Sequence, residues 1–212
     1  MNSEKEHLDT LNEIKNLMQH STRFLSLSGL TGIFAGIFAL LGAAAAYLYL
    51  DLGLLSDNYY SSAYSGSSYN GSFLVFFLAD ALSVLFLALG CGIYFTMRNA
   101  RRKDEQVWGR ATKMMLLNLF IPLIAGGLFC VVLVFYNVIF LVAPATLIFY
   151  GLALINAGKY TLRDIRYLGG FEIGLGLIAC TIPGYGLLFW AAGFGVMHII
   201  YGTLMFYKYE KC

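Results

Sequence analysis

The sequence predicts an all-α polytopic membrane protein, a bundle of six transmembrane helices preceded by an amphipathic helix. The 212 residues are 59% hydrophobic and only 12% charged, about half the charged fraction of a soluble domain. The apolar residues come in long runs rather than in helical stripes, and about 20 consecutive apolar residues span the ~30 Å hydrocarbon core of a bilayer. Because a bilayer core holds no water, each run must satisfy its own backbone hydrogen bonds and therefore forms a helix.

Residues 1–22 are predicted to form a cytoplasmic segment, with an amphipathic helix over residues 3–20. Ser3 and Glu6 have the spacing of a capping box. Such a helix packs on its own bundle, lies on a membrane surface or binds a partner protein. The charge of this segment is mixed rather than basic, which makes pure attraction to lipid the weaker alternative. Its apolar face consists of Leu8, Leu11, Ile14, Leu17 and Met18.

Residues 23–212 form the predicted transmembrane domain. The loop between the first two runs, residues 51–72, is rich in serine and tyrosine and contains no Lys or Arg. It is either a mobile exterior loop or a lid over the bundle. The six predicted spans lie at about 24–50, 73–97, 114–136, 138–157, 168–183 and 187–207.

A count of six spans also places all Lys and Arg residues on one side of the membrane. With this count the N-terminal segment, the 98–113 loop, the 158–166 loop and the C-terminus share one side, and they contain all fourteen Lys and Arg residues. Positive charge marks the cytoplasmic side of bacterial membrane proteins. The sequence therefore predicts that both termini are cytoplasmic.

The first span carries small residues at four-residue spacing, at Ser28, Gly32 and Gly36. Such a face lets a second helix backbone approach closely. Packing inside the bundle is the favoured use of Gly32 and Gly36, and a homo-oligomer is the alternative.

The final hairpin, from Leu168 to Tyr207, is the most informative stretch. Glu172 precedes its turn and His198 follows it, and both lie thirteen residues from Tyr185. In antiparallel helices the two side chains therefore lie at the same height. A charge inside a membrane is costly and needs a partner, so the pair is either a structural hydrogen bond that locks the hairpin or a site that holds a proton or cation.

Depth along the helices suggests further members of this site. Glu172 lies ~9 Å from the basic inner end of its helix, and Asn118 and Ser28 lie ~8 Å from theirs. We therefore expect Glu172, His198, Asn118 and Ser28 to share an intramembrane polar cluster. Asp80 lies ~27 Å from the inner end of its helix and is a candidate for an outer vestibule.

A short repeat connects two of the runs. Residues 148–154 read Ile-Phe-Tyr-Gly-Leu-Ala-Leu and residues 199–205 read Ile-Ile-Tyr-Gly-Thr-Leu-Met. Duplicated hairpins occur in many transporter folds, although apolar sequence also produces such matches by chance.

The sequence predicts no enzyme, because for each familiar class of intramembrane enzyme at least one required catalytic residue or ligand is missing. The fourth run has no serine nucleophile, Asp80 is the one aspartate inside a run, and HExxH is absent. No second intramembrane histidine accompanies His198 as a haem ligand, and the four cysteines have no metal-binding spacing. We therefore expect no catalytic, cofactor-binding or metal-binding residues. A net charge of +2 gives no reason to expect nucleic-acid binding.

The segment Ser-Thr-Arg-Phe-Leu-Ser-Leu-Ser-Gly at residues 21–29, entering a first run rich in Gly and Ala, resembles a group of small multi-pass membrane proteins of Bacteroidota. The glycine-rich final hairpin is similar as well. The resemblance implies a location in the bacterial inner membrane and carries no known activity or site residues.

Two functions fit these features. The first is a non-enzymatic inner-membrane protein that acts through contacts with the lipid bilayer or with a protein partner bound by residues 3–20. The alternative is a small solute or ion transporter, or the membrane substrate-binding subunit of one, which the span count and the buried ionisable residues suit.

The topology can be tested directly. A tag inserted into the 51–72 loop of the protein in intact cells should be reached by an impermeant reagent from outside, because that loop lies opposite the Lys and Arg residues. A tag in the 98–113 loop is the matched control and should be protected. A cytoplasmic 51–72 tag would contradict the predicted orientation.

Overall fold

The computed structural model describes residues 27–50, 71–102 and 107–211, and these ranges contain helices and turns but no strand. The all-α prediction is confirmed for them. The predicted amphipathic helix at 3–20 and residues 51–70 of the predicted outer loop lie outside the described residues.

Six helices follow one another along the chain. The last of them, α6, is continuous, but its middle, Ala191–Met197, is π-helical and is flanked by α-helix at Gly186–Trp190 and His198–Tyr209. A short 3₁₀ turn at Ile139–Leu141 precedes α4. The bounds are α1 Gly29–Tyr49, α2 Gly71–Arg102, α3 Arg110–Phe135, α4 Val142–Ala157, α5 Asp164–Thr181 and α6 Gly186–Tyr209.

Five helical segments in the described ranges are long and apolar enough to cross a membrane. The remaining helix, α5, is shorter, with 18 residues, and three of them are charged: Asp164, Arg166 and Glu172. The chain is thus a multi-pass membrane protein by its helices. The five segments are Gly29–Tyr49, Val75–Arg102, Arg110–Phe135, Ile139–Ala157 and Gly186–Tyr209.

Two helix bounds differ from the sequence prediction in the same way. Helix α2 continues to Arg102 and α3 begins at Arg110, so much of the predicted 98–113 loop is helical. Arg and Lys are good helix formers, and cations at a helix C-terminus interact favourably with its dipole. Apolar length measures the membrane-embedded part of a helix, whereas the helix itself continues beyond it.

Two residues with positive φ mark the tight turns between spans. Asn137, between α3 and α4, has φ 57°, and Gly184, between α5 and α6, has φ 94°. Asparagine and glycine are the residue types that adopt this left-handed region most readily. These turns make α3 with α4, and α5 with α6, antiparallel hairpins.

The helices pack in a definite order. Helix α2 packs on α1, α1 packs on α6, and α6 contacts the closely packed α4–α5 pair, while α3 lies against α4 on the far side. None of the apolar window of α2 is buried in the protein. Such a continuous apolar surface would promote association in water, whereas lipid chains cover it in a bilayer.

Glycines produce two close helix crossings. On the α1–α6 crossing, a Cβ at Gly36 would lie 2.6 Å from the carbonyl oxygen of Gly195, and a Cβ at Gly32 would lie 3.0 Å from the Cα of Gly202. On the α4–α5 crossing, a Cβ at Gly151 would lie 2.5 Å from a backbone oxygen of α5. The structure therefore places Gly32 and Gly36 inside the bundle, where a side chain would separate the backbones.

Gly36→Ala should destabilise the protein by about 1–3 kcal/mol, because the added methyl group overlaps backbone atoms that cannot move independently. Gly127→Ala is the matched control, since nothing lies within 4 Å of a Cβ at that helical position. The free energy of unfolding in mixed detergent micelles measures both. Equal effects of the two substitutions would contradict the proposed role of the α1–α6 crossing.

Candidate functional site

The structure brings Glu172 and His198 together at the centre of the bundle. Glu172 is on α5 and is fully buried, and His198 is on α6 with 5% of its surface exposed. The Nδ1 atom of His198 lies 3.4 Å from the Oε1 atom of Glu172. The equal distances of the two residues from the hairpin turn thus correspond to equal depth.

Both ring nitrogens of His198 have further partners. Nδ1 lies 3.0 Å from the carbonyl oxygen of Gly193, and Nε2 lies 2.8 Å from the hydroxyl oxygen of Tyr150. A carbonyl oxygen can only accept, so Nδ1 carries the proton and donates it to Gly193. In the neutral ring Nε2 is then the acceptor, and the hydroxyl of Tyr150 donates to it.

The π-helical segment of α6 provides this arrangement. Gly193 lies within it, five residues before His198. A π-helical turn widens the helix and is frequent at functional sites. A methyl group at Gly193 would overlap Oε2 of Glu172 and would lie 2.6 Å from a methyl group of Leu147. The absence of a side chain at Gly193 therefore allows α5 to bring its carboxyl group against α6.

The carboxyl group of Glu172 is unusual in its surroundings. Neither of its oxygens has a hydrogen-bond partner among the described residues. The one nearby N–H, at Nδ1 of His198, is directed at the carbonyl oxygen of Gly193 instead. Buried polar groups normally have hydrogen-bond partners, so the two oxygens of Glu172 are the unsatisfied polar atoms of this site.

The rings of Phe194 and Tyr150 pack against the ring of His198. The Phe194 ring is stacked on that of His198 at 5.9 Å between centroids, and the Tyr150 ring lies 4.9 Å from Phe194. Helix α1 faces this part of α6 with Gly32 and Gly36, which bring no charge. Tyr150 is thus the further titratable group that the structure bonds to the pair.

The structure places Ser28 away from this pair. Ser28 precedes the first turn of α1, and its hydroxyl donates to Oε1 of Glu210, 3.0 Å away, at the end of α6. The backbone N–H of Gly29 donates to the same oxygen. A carboxylate at a helix N-terminus satisfies free N–H groups and complements the helix dipole. Ser28 and Glu210 therefore join the first and last helices.

The described contacts of Asn118 and Asp80 are with residues other than Glu172 and His198. The side-chain amide of Asn118 donates to the carbonyl oxygen of Met114 in its own helix, at 2.8 Å. Asp80 is half-buried on α2, where a Cβ at Gly42 of α1 would lie 3.3 Å from its carboxylate. Helical depth predicted that Asn118 shares the level of Glu172, but depth does not determine which face of a helix a side chain occupies.

Sequence reasoning missed three participants. Tyr150 lay in the noticed repeat, but nothing in one sequence separates its hydroxyl from that of Tyr201 in the other copy. Gly193 is one of several glycines in the last span, and a π-helical turn leaves no recognisable sequence pattern. Glu210 follows the last apolar run, where a charged residue is usually solvated.

The described ranges contain no group of three or more His, Cys, Asp or Glu residues that could hold a metal ion. Comparison with known proteins gives no match to a protein-family model, a curated protein or a solved structure. The chemistry of this site must therefore be argued from its own geometry.

Gly193→Ala should destabilise the protein by about 1–3 kcal/mol, because the methyl group collides with the carboxyl group of Glu172. In a Glu172→Ala background most of this cost should disappear, since the colliding group is gone. Free energies of unfolding of the four proteins form a double-mutant cycle, in which residues in contact couple by about 0.5–3 kcal/mol. Additive effects would show that Gly193 does not determine the position of Glu172.

Proposed function

We propose that this protein is a proton-linked, non-enzymatic protein of the bacterial inner membrane, and that reversible protonation of the Glu172–His198 pair is its functional event. The multi-pass architecture supports the membrane location. The resemblance to membrane proteins of Bacteroidota supports the bacterial inner membrane, and the distribution of Lys and Arg supports cytoplasmic termini.

We include α5 as a sixth span. Its 18 residues extend ~27 Å, close to the thickness of the hydrocarbon core. Of its three charged residues, Asp164 is the first residue of the helix and Arg166 follows in the first turn. Lys208 lies 2.8 Å from Asp164, so Asp164 has a charged partner, and Glu172 is the one charged residue in the apolar part of the helix.

The hydrogen-bond geometry of Glu172 carries the proposal. A purely structural pair would direct the Nδ1–H of His198 at the carboxylate, and charge-assisted bonds of that kind are about 2.7–2.9 Å long. Here Nδ1 of His198 and Oε1 of Glu172 are 3.4 Å apart, and His198 donates its Nδ1–H to the carbonyl oxygen of Gly193. The carboxyl group therefore lacks the partner that a locked ion pair requires, and this favours a site that gains and loses a proton.

The confined surroundings favour a proton over a larger cation. On the α6 side there is no room for a methyl group between Gly193 and Oε2 of Glu172. A sodium or potassium ion needs several oxygen ligands at distances that such a contact does not provide. A proton needs one oxygen and no additional volume.

Contacts at the cytoplasmic end of α6 supply a way to communicate the protonation state. Lys208 and the hydroxyl of Tyr209 bond to Asp164 of α5, the latter at 2.9 Å. Glu210 bonds to the start of α1. A change at Gly193 and His198 on the same helix would alter these contacts, and through them the face offered to a partner or to lipid.

Proton-driven transport of a small solute or ion is the second candidate. The specific observation in its favour is the π-helical segment of α6 at Ala191–Met197, next to the buried carboxyl group. Such segments within α-helices are frequent at functional sites. Proton flux into vesicles that contain the purified protein would favour transport over sensing.

Infrared spectroscopy tests the proposal directly. In difference spectra between low and high pH, the protein in lipid vesicles should show the C=O stretching band of a buried carboxylic acid at low pH and its loss at high pH. Glu172→Gln should abolish this band, because it removes the titrating group while keeping its size.

Asp80→Asn is the matched control, since Asp80 is also a carboxylate within a span but lies at the α1–α2 contact. It should leave the Glu172 band in place. A wild-type spectrum without any band that depends on Glu172, at every pH at which the protein stays folded, would show a permanent ion pair and contradict the proposal.

A further inference from the structure

We infer that Tyr150 is the group through which the Glu172–His198 pair exchanges its proton, and that its hydroxyl, together with the Gly193 carbonyl, keeps the hydrogen of the neutral His198 ring on Nδ1. This inference rests on the proposed function. It adds an entry route and a residue that positions the histidine.

Glu172, His198 and Tyr150 form a chain of neighbouring polar side chains, and these three residues differ in exposure. Glu172 has no exposed surface and His198 has 5%, whereas Tyr150 is half-buried. A proton that reaches Glu172 from outside must cross the shell of atoms around the pair. Among the residues hydrogen-bonded to the pair, Tyr150 is the one that retains exposed surface, and its hydroxyl lies on the side of the His198 ring away from Glu172.

The hydrogen bonds give the chain a direction. The hydroxyl of Tyr150 meets Nε2 of His198 at 2.8 Å, and on the opposite side of the ring Nδ1 faces Gly193 at 3.0 Å and Glu172 at 3.4 Å. Nε2 is therefore the outward nitrogen and Nδ1 the inward one. Because the Gly193 carbonyl can only accept from Nδ1 and the Tyr150 hydroxyl donates to Nε2, the two partners together hold the hydrogen of the neutral ring on Nδ1, next to Glu172.

Proton uptake then follows from these positions and balances atom by atom. A hydronium ion donates a proton to the oxygen of Tyr150 and becomes water, while the Tyr150 hydroxyl passes its own proton to Nε2. The Nδ1–H bond breaks and its proton binds Oε1 of Glu172. The carboxylate becomes a neutral acid, and His198 is neutral again with its hydrogen on Nε2.

Release is the same sequence in reverse. The carboxylic acid returns its proton to Nδ1, and Nε2 returns one to Tyr150. Beyond Glu172 the described residues provide no further hydrogen-bond partner for either carboxyl oxygen. The route therefore ends at Glu172, and the chain is a reversible store with one opening, as a proton sensor requires.

Tyr150→Phe is the decisive substitution, and Tyr201→Phe is its matched control. Phenylalanine keeps the ring that packs on Phe194 and His198 and removes only the hydroxyl. Tyr201 is three residues after His198 in the other copy of the repeat, and its ring faces Phe171 of α5. Each variant loses one hydroxyl group from a half-buried tyrosine.

The measurement is the rate at which the Glu172 acid band shifts after transfer from H₂O to D₂O. Tyr150→Phe should retain the band at low pH but slow its exchange about tenfold or more, because His198 loses its donor and its link to water. Tyr201→Phe should exchange at the wild-type rate. Equal rates in wild type and Tyr150→Phe would overturn the entry route while leaving the proposed function intact, whereas a wild type without the band would remove the proposed function itself.

Nitrogen NMR of His198 in the unsubstituted protein gives a second test that needs no variant. At the high-pH end, where Glu172 has released its proton, Nδ1 should be protonated and Nε2 should not. The opposite tautomer would show that Tyr150 and Gly193 do not hold His198 in this way, and it would overturn the direction of proton transfer.

Discussion

The contact between a fully buried carboxyl group and a glycine in a π-helical turn is the constraint on which the centre of this bundle depends. Glu172 reaches His198 because Gly193 has no side chain, and the Gly193 carbonyl takes the Nδ1 proton that the carboxyl group would otherwise receive. The same few atoms thus bring an acid next to a base and keep the acid unsatisfied. At a water-exposed surface, water would bond to these carboxyl oxygens, but in the interior of a membrane protein each missing hydrogen bond is costly.

The glycine crossings around this contact give it a rigid frame. Helix α1 fits against α6 through Gly36, and α4 fits against α5 through Gly151. Without a hydrophobic driving force between helices in lipid, close backbone packing of this kind supplies much of the association. At the C-terminal end of α6, Glu210 and Lys208 connect it to α1 and α5. Helix α6 therefore carries His198 near its middle and bonds to two neighbouring helices at its end.

Much of this fold was readable in the sequence, and the reasons for the failures are physical. Long apolar runs predict helices because lipid permits little else, and equal spacing from a turn predicts that Glu172 and His198 lie level. Depth, however, is a single coordinate. It did not give the direction of a side chain around the helix axis, and for Ser28 the level itself was wrong, because Ser28 bonds Glu210, twelve residues after His198, at the end of α6. Tyr150 was hidden because its hydroxyl gains meaning only from a helix 48 residues away.

Counting protons tests the central claim most directly. The purified protein in lipid nanodiscs, titrated against base over the range in which it stays folded, should release one proton more than the Glu172→Gln, His198→Gln double variant treated identically. That excess of one is what a reversible store at this pair requires. Identical proton release from the two proteins would mean that the pair is a fixed structural contact, and the proton-linked account would be wrong.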